Sequence, residues 1–264
     1  MRRDAVTNEG ARLREFWDER YREFTLSESG WLGAGEALNE RLYACKRQAL
    51  RHALRRRGLD RRNGWSVLDA GCGQGYFASF YHDRFPSAGY VGVDLSERAV
   101  DHLRGRVPGE FHVGDVSEWN DPQGRRFDVV QCFDVLHLIL DDGRMAQAVK
   151  NLSAHLTADG ALLVTAALPD ATVQPSHSLR YRGRAFWNDL LSSLRLRIRH
   201  ERPMSYWLPT GGPRNRYARF LLVRAGARTL YALDRTALAL GFPRPRSFGV
   251  DCHVRLLTIQ RMSA

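Results

Sequence analysis

Apolar residues recur along this chain with two different periods, and the change of period divides it. Over residues 11–24, Leu13, Phe16, Trp17, Tyr21 and Phe24 share one face of a helix. Over residues 36–57, Leu38, Leu42, Ala49 and Leu54 do the same opposite a face of arginines, and Gly58 is placed to stop that second helix. From Trp65 the pattern turns to short apolar runs separated by amphipathic segments. Residues 67–70 read as a strand running into glycines, with an aromatic-rich helix following as far as Phe85. Strands are then predicted at 90–94, 110–113, 127–133 and 161–166, with helices at 97–106 and 144–156. Strand and helix alternating at this spacing imply parallel strands with crossover helices, hence a doubly wound α/β sheet.

Beyond Pro169 the pattern is less regular. A helix is expected near 184–194, a strand near 196–204, and a terminal strand over 252–260, where His253, Arg255, Leu257 and Ile259 alternate with Val254, Leu256 and Thr258. The stretch between the last two strands is too long for a bare connection. Its residues 217–240 place Leu230, Leu233, Ala237 and Leu240 on one helical side. The expected organisation is an N-terminal helical lid at 1–60, a core at 61–206 and 250–264, and a helical insertion at 207–249.

Composition sharpens this picture at one point, the charge. A net charge of +11 suggests a polyanionic partner until its distribution is examined. Residues 171–264 hold 17 arginines against Asp189, Glu201, Asp234 and Asp251, whereas the first 170 residues are close to neutral. The basic excess therefore belongs to the region that contains the insertion. Cys45, Cys72, Cys132 and Cys252 are scattered with no C-x-x-C pair, so no metal site is expected. No apolar run approaches the ~20 residues of a membrane-spanning helix, and the expected location is cytoplasmic.

The candidate chemistry sits at successive strand ends. D-A-G-C-G-Q-G (69–75) places Gly71, Gly73 and Gly75 between a strand and a helix, where the backbone can approach a ligand closely. Asp94 ends the next strand and can accept hydrogen bonds from both hydroxyls of a ribose. Asp115, in H-V-G-D-V (112–116), is placed to accept from an exocyclic adenine amine. A dinucleotide fingerprint would carry a further glycine where Tyr76 stands. The glycine loop instead resembles the first motif of the class I S-adenosylmethionine-dependent methyltransferases. V-G-V-D-L-S (91–96), G-D-V (114–116) and F-D-V-V-Q-C-F-D-V-L-H-L (127–138) are similar to that family's ribose, adenine and fourth-strand motifs.

The resemblance covers roughly residues 64–168 and implies a Rossmann-like seven-stranded sheet with S-adenosyl-L-methionine as cofactor. It implies that Asp69 and Gly71 orient the methionine ammonium and that Gly73 permits close approach. Asp94 would hold the ribose diol, Leu95 the adenine face, and Asp115 and Val116 the edge of the base. Cys132 and Phe133 would face the methionine end, with Tyr21 closing over the cofactor from the N-terminal helix. His137 is the candidate general base.

Base-methylating enzymes carry N-P-P-Y or D-P-P-Y after the fourth strand, where this chain has Q-C-F-D (131–134). A small-molecule acceptor, methylated on oxygen or nitrogen, is therefore expected, such as a natural product or an anionic metabolite met by the arginines. Two other readings stay open. One is an RNA methyltransferase gripping phosphates through Arg214, Arg216 and Arg219. The other is a cofactor-binding protein without methyl transfer, in which residues 214–240 form a homodimer interface or a membrane-surface element.

Overall fold

The computed structural model describes residues 2–30, 35–204 and 254–262, together with Thr229, Ala232, Leu233, Arg235 and Thr236. The insertion expected at 207–249, with Arg214, Arg216 and Arg219, otherwise lies outside the described residues. The five isolated residues are all helical, and the rest of the helix expected at 217–240 lies outside the described residues.

Two N-terminal helices, α1 (Arg2–Arg20) and α3 (Glu36–Arg56), flank the short α2 (Leu26–Ser29). The core follows as β1 (Ser66–Ala70), α4 (Tyr76–Arg84), β2 (Gly89–Asp94), α5 (Glu97–Leu103), β3 (Glu110–Val113), β4 (Phe127–Cys132), α6 (Asp142–Ala154) and β5 (Leu156–Ala167). A small hairpin, β6 (Val173–Ser176) and β7 (Leu179–Tyr181), precedes α7 (Arg184–Ser193), β8 (Leu196–Pro203) and β9 (Val254–Arg261). Seven strands form one sheet in the order β3-β2-β1-β4-β5-β9-β8.

β1 to β5 pair in parallel, as the alternation predicted. β9, which the pattern predicted as a strand without a direction, enters between β5 and β8 antiparallel to both. It is consequently covered on both faces, and Leu256, Leu257, Thr258 and Ile259 are all buried despite their alternating pattern. The β6–β7 hairpin has no counterpart among the expected elements. Its strands are too short, and too exposed on β6, to leave a periodic signal.

Alternate strand residues feed two cores, one on each face of the sheet. Leu68, Ala70, Val130 and Leu162 pack with Met145, Val149 and Leu152 of α6 and with Trp187 and Leu191 of α7. Val67, Val129 and Leu163 pack with Leu50 and Leu54 of α3, Phe77 and Tyr81 of α4, and Val100 and Leu103 of α5. Burial on both faces is why the central strands read as unbroken apolar runs. α5 and α6 begin where a side chain satisfies a first-turn amide. Ser96 accepts from Ala99 N at 3.1 Å and Asp141 accepts from Arg144 N at 2.7 Å. Gly75, at φ 85°, starts α4 where a Cβ would come within 2.3 Å of Leu103.

Candidate functional site

The sheet order reverses between β1 and β4, and a crevice opens there at the carboxyl ends of the parallel strands. The loops after β1, β2, β3 and β4 all border one cavity, which Leu13 and Trp17 of α1 and the adjoining Tyr21 cover.

The loop after β1 is bent by its glycines. Gly71 and Cys72 both donate to Val93 O, at 2.7 and 3.0 Å, which ties the loop to the end of β2. Gly71 has φ 87° and Gly73 has φ 52°. A Cβ on Gly71 would meet Val135 at 2.2 Å, and one on Gly73 would meet the Tyr21 hydroxyl at 3.0 Å. Both positions are therefore cradles that a side chain would fill, and both line the cavity.

Asp94 stands at the centre of this wall. Gly73 N donates to Oδ2 at 2.7 Å and Ser96 N to Oδ1 at 2.9 Å. Burial raises the Asp94 carboxyl against these backbone hydrogen bonds. Each oxygen keeps a lone pair for a further donor, which suits a vicinal diol. Leu95 and Val116 supply apolar flanks beside it. Asp115 also lines the cavity, but its carboxylate is already engaged. Oδ1 accepts from Ser117 N and Oγ at 2.8 and 2.6 Å, and Oδ2 is ion-paired with Arg144 of α6. Against the upward pull of burial, Ser117 and Arg144 hold this carboxyl below its usual range.

Phe133 lines the cavity, packed edge-to-face on Phe77 with ring centroids 5.1 Å apart. Tyr21 is buried in the wall, just beyond the last residue of α1. Burial, with Asp94 nearby, pushes its phenol well up, so it remains a neutral hydroxyl.

Three expected site residues lie elsewhere. Asp69 is buried behind the cavity wall, where Tyr90 Oη donates to Oδ2 at 2.7 Å and Gln131 Nε2 to Oδ1 at 3.0 Å. Tyr81 Oη completes this group by donating to Gln131 Oε1 at 3.0 Å. Burial pushes the Asp69 carboxyl up to about 7. As the fourth residue of a strand covered on both faces, its side chain faces an inner layer instead of the loop. Cys132 ends β4 fully buried, with its thiol raised by the same desolvation. His137 sits in a 3-10 turn (Leu136–Leu138), with its ring 5.5 Å from that of Tyr181 on β7. Its neighbours Val135, Leu138 and Ile139 line the cavity, whereas His137 does not.

Other wall residues escaped the sequence reading. Gln74 donates to Thr25 O at 2.7 Å, and its Oε1 is buried with no partner among the described residues, an acceptor left for a ligand's donor. Tyr43 of α3 and Asp134 after β4 also line the cavity, and Asp134 is ion-paired with Lys46 of α3. Nothing in the sequence linked α3 to the fourth strand end, 88 residues away. Among the described residues, no cluster of three or more His, Cys, Asp or Glu side chains could hold a metal.

Fold and cavity together define an α/β domain with a cavity at the carboxyl ends of its parallel strands. Residues 67–160 match the family described as "Methyltransferase domain". The trans-aconitate 2-methyltransferase of Variovorax paradoxus is 32% identical over 114 residues, 43% of this chain and 42% of its own length. Its namesake from Paracidovorax citrulli is 29% identical over 138 residues, 50% of this chain and 51% of its own. The chain thus spans about half the length, or less, of the curated relatives it matches. Among solved structures, magnesium protoporphyrin IX methyltransferase from Synechocystis PCC 6803 with bound S-adenosylmethionine superposes with a TM-score of 0.57 at 15% identity, covering 96% of both chains. An O-methyltransferase from a polyketide synthase multienzyme of Brevibacillus brevis, in complex with S-adenosylhomocysteine, gives 0.55 at 15% identity over 88% of this chain and 82% of its own. Residues 67–160 of this chain thus match a methyltransferase domain, and the chain shares the Rossmann-like fold of these methyltransferase structures.

Proposed function

We propose that the protein methylates oxygen or nitrogen on a small molecule, an anionic metabolite or natural product, with S-adenosylmethionine as donor. The cavity carries this reading. Glycine cradles, Asp94 and the apolar pair Leu95 and Val116 border one side, while Tyr43, Phe133 and Asp134 enclose the other. An enclosed wall of this kind suits a small acceptor better than a polynucleotide, which needs an open, basic track. The trans-aconitate of the relatives' name is an anion, in keeping with the arginine excess of residues 171–264.

The donor set fits the cofactor. Asp94 would accept from the ribose hydroxyls, Leu95 and Val116 would flank the base, and Gln74 Oε1 would accept from the methionine ammonium. Gly71 and Gly73 would admit the chain between them, with Tyr21 and Phe133 shutting out water. Asp69 would act from behind, through its hydrogen bonds with Tyr90 and Gln131 at the strand end that leads into the glycine loop. When bound, S-adenosylmethionine supplies a methyl group on a positively charged sulfur, so catalysis is mostly a matter of in-line placement. We assign residues 1–60 and 207–249 to the acceptor side and the rest to the cofactor core.

Titration calorimetry with S-adenosylhomocysteine tests the site. Asp94→Ala should weaken binding roughly tenfold or more, because a buried, charge-assisted acceptor is worth about 1.5–3 kcal/mol. Unchanged affinity would overturn the assignment. Release of S-adenosylhomocysteine with a panel of small anionic acceptors, with and without a hydroxyl or amine beside the charged group, then tests the reaction.

A further inference from the structure

Asp134 combines features that no wall residue needs for cofactor binding alone. It follows β4 immediately, lines the cavity, and holds a left-handed backbone at φ 60°. Residues other than glycine persist in that conformation where their surroundings over-determine it, and functional sites collect such positions. The clamp is Thr165 of β5. Its hydroxyl accepts from Asp134 N at 2.7 Å and donates to Oδ1 at 2.9 Å. The other carboxylate oxygen is ion-paired with Lys46, whose ammonium lies 4.1 Å from the centre of the Tyr43 ring. Lys46 is one of only two lysines among 40 basic residues, and α3 delivers it to this point from outside the matched domain.

Resting on the methyl-transfer reading above, we propose that Asp134 is the acceptor-facing catalytic residue. The acceptor's reacting atom would then carry a hydrogen, as a hydroxyl or amine, and would not be a carboxylate oxygen. Asp134 lines the cavity and Lys46 does not, so the wall at this end presents a carboxylate. Such a wall offers an anionic nucleophile no cation, and the carboxylate oxygens, though engaged by Thr165 and Lys46, keep a lone pair that can accept from an O–H or N–H and turn the atom's own lone pair toward the donor carbon. An anionic acceptor would carry its charge elsewhere.

The surrounding charges suit this role. Burial pulls the Asp134 carboxyl up, but the ion pair with Lys46 and the Thr165 hydroxyl outweigh it and hold the group below its usual range. Burial holds His137 itself below its usual range, toward the neutral form. In the reaction, a lone pair on the acceptor oxygen or nitrogen forms the new bond to carbon. The carbon–sulfur bond breaks with its electron pair left on sulfur. A hydroxyl becomes strongly acidic as that bond forms, so its proton passes to the Asp134 carboxylate even though that group is a weak base. A methylated amine can leave with its proton.

Sinefungin tests this without knowledge of the acceptor, because an amine-bearing carbon replaces the methylated sulfur and places an ammonium at the reacting position. Calorimetry should show the wild-type protein binding sinefungin about tenfold more tightly than S-adenosylhomocysteine. Asp134→Asn, which tolerates the left-handed backbone, should keep its affinity for S-adenosylhomocysteine and lose the preference. Lys46→Met, which leaves the carboxylate without a competing cation, should keep or enlarge it. A preference absent from the wild-type protein, unchanged in Asp134→Asn, or lost in Lys46→Met would overturn the proposal. Failure of the wild-type protein to bind S-adenosylhomocysteine would overturn the cofactor reading itself, a separate and recognisable result.

Discussion

Asp69 shows how burial divides two carboxylates that the sequence sets on neighbouring strand ends. Asp94 lies at the cavity with lone pairs to spare, whereas Asp69 is enclosed by Tyr90 and Gln131 and raised to about 7. The sign of the resulting pH dependence follows from proton linkage. Between about 4 and 7 the folded Asp69 keeps a proton that the unfolded chain has already released, so its contribution to stability falls as pH rises through that window. Above about 7 it is constant. Comparing thermal unfolding of the wild-type protein with Asp69→Asn across this range should reveal a difference of order a few kcal/mol that shrinks toward low pH. A pH-independent difference would show that Asp69 is ionised in the fold. The identity of Asp69 was legible in the motif, but its enclosure was not, because Tyr90 and Gln131 come from other strands.

Among the elements, the loop between β4 and α6 sets the shape of the cavity, and a residue far along the chain holds it. Arg182, just after β7, is buried and donates to the carbonyls of Leu136, Ile139, Leu140 and Asp141 at 2.6–3.4 Å, and to Asp142 Oδ1 at 3.0 Å. Val135, Leu138 and Ile139 of that loop line the cavity. Arg182→Met should cost about 3 kcal/mol, because several buried carbonyls would lose their donor at once. Urea denaturation measures the loss, and S-adenosylhomocysteine affinity should fall with it. The hairpin that presents Arg182 was invisible to periodicity because its role is anchoring and not core formation. The lid was partly legible. Trp17 and Tyr21 showed on one helical face, but α1 ends at Arg20 and leaves Tyr21 beyond the helix. Asp18 of α1 fixes that geometry by accepting from Ser96 Oγ at 2.5 Å and Arg98 N at 3.2 Å, at the start of α5.

For the molecule as a whole, one cavity bordered by four strand ends and the N-terminal lid couples ligand binding to global stability. At a hundredfold excess over its dissociation constant, S-adenosylhomocysteine should stabilise the fold by about 2.7 kcal/mol. For a chain of this size, scanning calorimetry should show that as a rise of roughly 5–10 °C in Tm. Among the described residues no helix is long and apolar enough to cross a membrane. The net charge of +11 is a property of the last third of the chain, and the first 170 residues are close to neutral. Local sequence was sufficient for the parallel core, because strands buried on both faces must be apolar runs and crossover helices must be amphipathic. It was also sufficient to bring Gly71, Gly73, Asp94, Leu95 and Val116 to one cavity, because they lie at the ends of consecutive strands. Tertiary structure alone decided the antiparallel insertion of β9, the withdrawal of Asp69 and Cys132 from the cavity, and the pairs Asp115–Arg144 and Asp134–Lys46. Those outcomes depend on which distant groups share a low-dielectric space, and the energy of a buried charge is set by such neighbours and not by its place along the chain.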